Sequence, residues 1–118
     1  MDTATAATLA AIERFNEAFN RHDVDAIMAL MSDDVVFENT SPAPDGERYE
    51  GQAAVRGMWG RFFSSSPRAR FTAEETIALG DRAVVRWRYD WGDGHVRGVD
   101  VFTVRDGRVA EKLSYVKG

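Results

Sequence analysis

The first part of the chain repeats its hydrophobic residues at the spacing of an α-helix. Ile12, Phe15 and Phe19 recur at intervals of three and four residues, which predicts an amphipathic helix with one buried side. Asp23 is expected to cap the start of a second helix, because its side chain can accept a hydrogen bond from the first turn. The same spacing around Trp59 predicts a third helix. Three helices are therefore expected, over residues 5–22, 24–31 and 52–64.

Many of the remaining hydrophobic residues alternate with polar ones, as they do along β-strands. A short strand is expected over 34–39, followed by a loop over 40–50 that contains two prolines. Later in the chain, Gly-Asp, Gly-Asp-Gly and Arg-Asp-Gly turns separate four segments rich in β-branched and aromatic residues. These four strands are expected over residues 68–79, 82–91, 95–104 and 108–117.

This order of elements predicts an α+β fold. Three N-terminal helices would pack against a cone-shaped, curved antiparallel sheet of four or five strands and enclose a cavity. No repeat or change of composition divides the chain, so its 118 residues are expected to form one domain, 1–118.

The composition excludes several kinds of function. The chain has no cysteine, which removes disulfides, thiol nucleophiles and cysteine-bound metals, and two histidines are too few for a histidine-built metal site. A net charge of −4 argues against binding to the phosphate backbone of nucleic acids. No hydrophobic run reaches the roughly 18 residues of a membrane span, and the acidic N-terminus lacks the positive charge of a signal peptide. We therefore expect a cytoplasmic protein with no metal, organic cofactor, nucleic-acid partner or membrane contact.

The lengths of the turns predict which residues of the sheet face the cavity, since side chains alternate between its two sides. Short turns would place Asp100 opposite both Lys112 and Trp87 on the neighbouring strands. Alternatively, a bulge at Gly94 would flip the strand formed by residues 82–91, so that its other side chains would face inward. The first register is preferred, because it gathers large aromatic residues on the enclosed side.

Both sides of the predicted sheet carry hydrophobic residues in either register. The inner side would hold Val85, Trp87, Tyr89, Trp91, Val96, Gly98, Asp100, Phe102, Lys112, Ser114 and Val116. The outer side would hold Val84, Val99, Val101, Val109, Leu113 and Tyr115, among arginines. A sheet with two apolar sides needs two covers. The helices cover one, and a second copy of the chain is expected to cover the other, giving a homodimer through the outer face.

Four segments of the chain resemble the nuclear transport factor 2-like superfamily, in particular its SnoaL-like polyketide cyclase and ketosteroid isomerase-like branch. They are FNEAFNRHDVDAIM over 15–28, MSDDVVF over 31–37, GQAAV over 51–55 and GVDVFTVRDGRV over 98–109. The resemblance extends over about residues 6–117. These motifs specify a helix junction, a strand and a hairpin, so they imply the architecture more strongly than the activity.

The resemblance implies one catalytic position and departs from the family at three others. Asp100 matches the protonated aspartate that ketosteroid isomerases use as a hydrogen-bond donor. Asn39 stands where these isomerases have a carboxylate base, and Phe15 stands where they have a tyrosine donor. Ser114 stands where epoxide hydrolases of the superfamily have an acid. Steroid isomerisation and that hydrolase arrangement are therefore not implied for this chain.

Asp100 is the candidate catalytic residue, since it interrupts an otherwise apolar strand. A carboxyl group enclosed by aromatic side chains is the kind of acid or base that such cavities use for proton transfer. The alternative is a structural salt bridge between Asp100 and Lys112. Lys112 could also contact an anionic group of a ligand or lie solvated at a strand end.

The other candidates are residues that would bind the ligand. Aromatic side chains would either form the wall of the cavity or pack as ordinary core. Asn39 would orient a ligand carbonyl or satisfy the backbone of the following loop, and Ser114 would position a polar atom. The predicted ligand-binding set is Phe15, Asn39, Trp59, Trp87, Tyr89, Trp91, Phe102, Lys112 and Ser114.

Two kinds of function remain open from the sequence. The first is an enzyme in which a small apolar molecule, such as a polycyclic carbonyl compound, undergoes isomerisation, cyclisation or hydrolysis through Asp100. The second is a non-catalytic ligand-binding or dimerisation module of the same fold, which the substitutions at Phe15 and Asn39 favour.

Overall fold

The computed structural model describes residues 1–118 and contains the three helices that the hydrophobic spacing predicts. They are α1 (Thr3–Asn20), α2 (Val24–Ala29) and α3 (Gln52–Ser65). Two of them begin at an aspartate cap: Asp2 accepts a hydrogen bond from the Thr5 amide and Asp23 from the Ala26 amide. The first helix ends at Asn20, within the end predicted near residues 20–22, and His22 beyond it adopts a left-handed backbone with φ of 54°.

Six strands form one curved, unclosed sheet in the order β2-β1-β6-β5-β4-β3. Their bounds are β1 (Met31–Glu38), β2 (Arg48–Glu50), β3 (Arg70–Leu79), β4 (Arg82–Asp90), β5 (His95–Arg105) and β6 (Arg108–Val116). All neighbours are antiparallel except β1 and β6, which run parallel. The α+β fold class is confirmed, whereas the expected number of strands was too small. The strand β2 lies at the end of the segment predicted as a loop and is held by pairing with β1.

The hairpin between β5 and β6 differs from the predicted one. Asp106 and Gly107, both with positive φ, form a two-residue turn, and Ala110 is an extra residue in β6 that leaves a bulge. Asp100 consequently lies opposite Ser114, and the predicted pairing of Asp100 with Lys112 was wrong by two residues. A shift of two residues preserves the side of the sheet, so all three side chains still face inward.

The turn between β4 and β5 is longer than predicted. A four-residue turn, 91–94, joins Asp90 to its partner His95. Trp87 therefore lies opposite Gly98 rather than Asp100, and Asp100 lies opposite Val85. The pairing again moves by two residues, so the inner side of β4 is the predicted one and the alternative with a turned-over strand does not occur.

The core lies between the helices and the concave side of the sheet. Its largest fully enclosed side chains include Phe15, Trp59 and Phe102, one from each of α1, α3 and β5. Val109 also belongs to this core, although it was predicted on the outer face: it precedes the bulge and its amide donates to the Leu30 carbonyl oxygen at 2.8 Å. None of the three helices combines the length and the hydrophobicity that a transmembrane span requires.

The convex side of the sheet carries a row of apolar residues that the helices do not cover. Ile77, Val84, Val101 and Leu113 lie side by side across β3, β4, β5 and β6. Ile77 is 57% exposed, and Tyr115 beside the row is 55% exposed. This outer row, as we call these four residues, is the uncovered apolar surface expected from the alternation of the strands.

Candidate functional site

A cavity of about 90 Å³ opens between the helices and the concave side of the sheet. Its wall is mostly aromatic and comes from both helices α1 and α3 and from five of the strands or the loops after them. The lining residues are Phe15, Asn16, Phe19, Phe37, Asn39, Thr40, Trp59, Phe62, Phe71, Trp87, Tyr89, Val96, Asp100, Lys112 and Ser114. No group of three or more His, Asp or Glu side chains comes together as a metal site would require.

Three polar side chains from β5 and β6 meet at the cavity wall and bind one another. The Ser114 hydroxyl donates to Asp100 Oδ1 at 2.7 Å and accepts from Lys112 Nζ at 2.9 Å. Lys112 Nζ also lies 3.3 Å from Asp100 Oδ2, an ion pair whose side chains are 7% and 2% exposed. The structure thus contains the ion pair that was the alternative to a catalytic Asp100, and Ser114 bridges its two members. We refer to these three residues as the polar triad.

Aromatic rings surround the ammonium group of Lys112. Nζ lies 4.7 Å from the ring centre of Phe37 and 5.6 Å from that of Trp59, distances typical of cation–π contacts. Burial nevertheless lowers the pKa of Lys112 below its usual 10.5, because the surrounding wall removes water from the ammonium group. The charge and hydrogen bonding of Asp100 oppose this effect without cancelling it. The third interpretation of Lys112, a solvated strand end, was therefore wrong.

The aromatic wall contains three buried hydrogen-bond donors that have no partner. They are the indole nitrogens of Trp59 and Trp87 and the hydroxyl of Tyr89. Burial raises the pKa of Tyr89 above 10.0, and a contact with Ser66, too loose for a hydrogen bond, opposes this only in part. Most buried polar groups in folded proteins are paired, so three unpaired donors in one wall are unusual. All three residues line the cavity.

Asn39 has the role that the sequence left as its alternative. Its Oδ1 accepts hydrogen bonds from the amides of Ser41 and Glu47 at 3.2 and 2.9 Å, which closes the loop between β1 and β2. Gly46 packs against it: a Cβ there would collide with the Asn39 carbonyl group, and its φ is +74°. Asn39 is also a lining residue of the cavity, so it lies at the junction of the loop and the site.

Two residues of the predicted ligand-binding set do not line the cavity. Trp91 follows the last residue of β4 and is 38% exposed, because the turn between β4 and β5 is longer than predicted. Phe102 lies beneath the wall, fully buried, with its ring centre 5.7 Å from that of Phe15. Neither residue therefore lies in the wall of the cavity. The other seven members and Asp100 share the cavity.

Seven lining residues were not among the predicted site residues. They are Asn16, Phe19, Phe37, Thr40, Phe62, Phe71 and Val96. The alternation of the strands places Phe37 and Val96 on the inner side and could have indicated them. Asn16 lies next to Phe15 on α1 and could be found only from the rotation of that helix relative to the sheet.

Comparisons with known proteins agree with this architecture. The SnoaL-like domain model matches residues 12–112. A nuclear transport factor 2-like protein of unknown function from Mesorhizobium loti is 44% identical, with a TM-score of 0.88 over 100% of this chain and 97% of that one. A comparison with curated proteins finds no match to this chain.

Two more distant structures have the same fold and carry the names of enzymes. A proposed ketosteroid isomerase from Kribbella flavida is 26% identical, with a TM-score of 0.82 over 98% of this chain and 82% of that one. A proposed polyketide cyclase from Sinorhizobium meliloti is 22% identical, with a TM-score of 0.79 over 90% of this chain and 94% of that one. The likeness to the cyclase shows the fold alone. The family match covers most of the chain, and the chain therefore belongs to the SnoaL-like domain family of nuclear transport factor 2-like proteins.

Proposed function

We propose that the chain binds a small apolar carbonyl compound in its cavity and that Asp100 moves a proton to or from this ligand. The single observation that carries the proposal is the combination of unpartnered donors and an enclosed acid in one aromatic wall. Trp59, Trp87 and Tyr89 supply the donors, and Asp100 supplies the acid.

The donors favour a ligand with oxygen acceptors over a pure hydrocarbon. Leaving a donor buried without a partner costs about 1–3 kcal/mol, and an acceptor on the ligand would remove that cost when it binds. A carbonyl oxygen accepts two hydrogen bonds, and the rest of a carbonyl compound can be apolar. The apolar part of such a ligand would pack against the aromatic rings, and its carbonyl oxygen would accept hydrogen bonds from the unpaired donors of the wall.

The size of the cavity favours a ligand smaller than a steroid. Its volume of about 90 Å³ is below the roughly 300 Å³ at which pockets for drug-sized ligands begin. A single substituted ring fits this space better than the polycyclic skeleton considered from the sequence. A relative named as a ketosteroid isomerase supports chemistry next to a carbonyl group.

Asp100 is positioned for proton transfer by its two neighbours in the polar triad. Ser114 holds Oδ1 and Lys112 holds Oδ2, so the carboxyl group has a fixed orientation in the wall. A general base needs to lie within hydrogen-bond reach of the proton that it removes. For a ligand bound against the aromatic wall, the acidic proton is the one on the carbon next to the carbonyl.

We also propose that the protein acts as a homodimer through the outer face of its sheet. The outer row is apolar, and arginines and glutamates border it, including the ion pairs Arg86–Glu75 and Arg97–Glu74. A two-fold interface brings the same patch of both copies together. Two copies related in this way would bury the row and could exchange the charges around it.

A second candidate function is supported by the ion pair itself. Asp100 and Lys112 already satisfy each other, so the polar triad could serve to stabilise the cavity of a non-catalytic binding module. This alternative predicts that the protein retains a ligand without changing it.

A proton-exchange experiment separates the two functions. Cyclohexanone in D₂O loses its α-protons when a base removes them, and NMR follows the loss. We expect the wild-type protein to accelerate this exchange, and we expect Asp100→Asn to reduce this acceleration at least tenfold. Asp93→Asn, which changes an exposed aspartate in the turn before β5, is the matched control and should keep the full rate.

Native mass spectrometry of the purified protein completes the test, because it detects a retained molecule without knowledge of its identity. An apolar carbonyl compound released on denaturation would support the cavity as its binding site. Retention without any exchange activity would favour the binding module. Unchanged exchange in Asp100→Asn would exclude the proposed role of that residue.

A further inference from the structure

We infer that Lys112 is an amine nucleophile that forms an imine with an aldehyde or ketone bound in the cavity. This inference rests on the proposed carbonyl-binding function and adds a covalent step to it. It starts from the position of Nζ, which lies in the cavity wall beside Asp100 and Ser114 rather than at the surface.

The surroundings of Lys112 are those that turn a lysine into a nucleophile. Only a neutral amine has the electron pair that attacks a carbonyl carbon, and a dry apolar wall disfavours the ammonium form. The lysine side chain is 7% exposed, and its neighbours across the two adjacent strands are Phe37 and Phe102. The lowered pKa of Lys112 is consistent with this arrangement. Asp100 is the one charged group that faces it.

The polar triad provides a route for the protons that the reaction must move. Lys112 Nζ donates to the Ser114 hydroxyl, which in turn donates to Asp100 Oδ1. A proton can therefore leave the ammonium group for the carboxylate through Ser114, or directly across the 3.3 Å gap to Oδ2. The result is a neutral amine beside a carboxylic acid.

The covalent step balances with groups already in the site. The amine electron pair forms a C–N bond to the carbonyl carbon while the π electrons of the C=O bond move to oxygen. Asp100 gives its proton to that oxygen and takes one from the nitrogen, which yields a carbinolamine. The nitrogen electron pair then expels the hydroxyl group, which leaves as water with a proton from Asp100. One carbonyl, one neutral amine and the proton of Asp100 thus give one protonated imine (an iminium), one water and the Asp100 carboxylate.

The product cation would be held by the contacts that now hold the ammonium group. An iminium at Lys112 would lie beside the Asp100 carboxylate and over the faces of Phe37 and Trp59. The same carboxylate could then remove an α-proton, because the iminium makes that proton more acidic. The triad would therefore serve both imine formation and the proposed proton transfer.

Reductive trapping tests the inference without knowledge of the natural ligand. The protein is incubated with benzaldehyde, which has no α-proton, and the imine is reduced with sodium cyanoborohydride. We expect intact-mass analysis to show the addition of one benzyl group and peptide mapping to locate it on Lys112. The chain has only one other lysine, Lys117 near the C-terminus, which is an internal comparison in the same sample.

Two conservative variants provide the controls. Lys112→Arg keeps the positive charge beside Asp100 but cannot form an imine, so its adduct should fall to less than a tenth of the wild-type amount. Lys117→Arg should leave the adduct unchanged. Labelling of exposed Lys117 or of the N-terminal amine in preference to Lys112 would overturn the inference, and this result comes from the wild-type protein whether or not a variant folds.

Binding is measured separately so that the two proposals can fail independently. Quenching of tryptophan fluorescence by benzaldehyde reports occupation of the cavity, because Trp59 and Trp87 line it. Saturable quenching without an adduct on Lys112 would overturn the imine and leave the proposed carbonyl site in place. Absence of saturable quenching by both benzaldehyde and cyclohexanone would overturn the carbonyl site and the imine together.

Discussion

Asp100 and Ser114 lie directly opposite each other on β5 and β6, and the serine hydroxyl donates a 2.7 Å hydrogen bond to Asp100 Oδ1. This cross-strand pair exists because the two-residue turn at Asp106 and Gly107 and the bulge at Ala110 each shift the pairing by one residue, so that Ser114 rather than Lys112 faces Asp100. The hydroxyl both donates to the acid and accepts from the lysine. It therefore couples the two charged members of the polar triad.

Removal of the Ser114 hydroxyl should destabilise the protein more than an ordinary serine substitution. In Ser114→Ala, Asp100 Oδ1 and Lys112 Nζ each lose a partner inside the wall, and we expect a loss of about 1–3 kcal/mol in the free energy of unfolding. Ser65→Ala is the control, because Ser65 is exposed at the end of α3 and should change stability by less than about 0.5 kcal/mol. Equal urea midpoints for the two variants would contradict a coupling role for Ser114.

The buried lysine should make stability depend on pH in the alkaline range. Folding lowers the pKa of Lys112 below 10.5. At pH values between the pKa of the folded chain and 10.5, the unfolded chain therefore binds more protons than the folded one. The free energy of unfolding should therefore rise with pH through this window and level off near 10.5, with a slope of at most about 1.4 kcal/mol per pH unit.

A variant without the ion pair isolates this pH dependence. Asp100→Asn combined with Lys112→Met removes both charges. The free energy of unfolding in urea is measured for this variant and for the wild-type protein between pH 7 and pH 10.5, and the difference between the two is followed against pH. Tyr89, whose pKa burial raises, contributes equally to both and cancels. A difference that stays flat over this range would show that Lys112 does not lose a proton more easily in the folded protein.

The turns explain which parts of the sheet could be predicted from the sequence. Alternation along β4, β5 and β6 identified the inner side, because the cross-strand pairing in each hairpin is shifted from the predicted one by two residues. The individual pairs could not be predicted, since the bulge at Ala110 leaves no distinctive residue type behind. Strand β2 was missed because its three residues are ordered by pairing with β1 and not by a pattern of their own.

Some features of the candidate site could likewise be predicted from the sequence, whereas others depend on tertiary packing. Asp100 is visible because a charged residue in an apolar strand is out of pattern. The unpartnered donors of Trp59 and Trp87 are not visible, because the sequence does not say whether an indole nitrogen finds a partner. The position of Trp91 outside the cavity depends on one turn whose length the sequence left open.

Gly98 should be sensitive to substitution although it lies within a strand. It faces Trp87 across β4 and β5, and a Cβ atom at Gly98 would lie 2.6 Å from the indole ring and collide with the Tyr115 carbonyl oxygen. We expect Gly98→Ala to lower the free energy of unfolding by about 1–3 kcal/mol, because backbone and ring must both move. The displaced Trp87 should also weaken the quenching of tryptophan fluorescence by benzaldehyde.

Gly60→Ala is the matched control for this substitution. Gly60 lies in the middle of α3 with open space around it, so an added methyl group meets no other atom. Alanine is the better helix former, and the variant should gain about 0.5–1 kcal/mol in stability. A loss in both variants, or a gain in both, would contradict the close approach of Trp87 to Gly98 as the cause.

The outer row should determine the oligomeric state. Leu113 lies in this row on β6, next to Val101 on β5, so a lysine at Leu113 would place two charges close to the two-fold axis of the proposed dimer. We expect the wild-type protein to sediment as a dimer and Leu113→Lys as a monomer in analytical ultracentrifugation. Ala7→Lys, on the exposed side of α1 and away from the sheet, should remain dimeric. A monomeric wild-type protein, or a dimer that persists in Leu113→Lys, would exclude the outer row as the dimer interface.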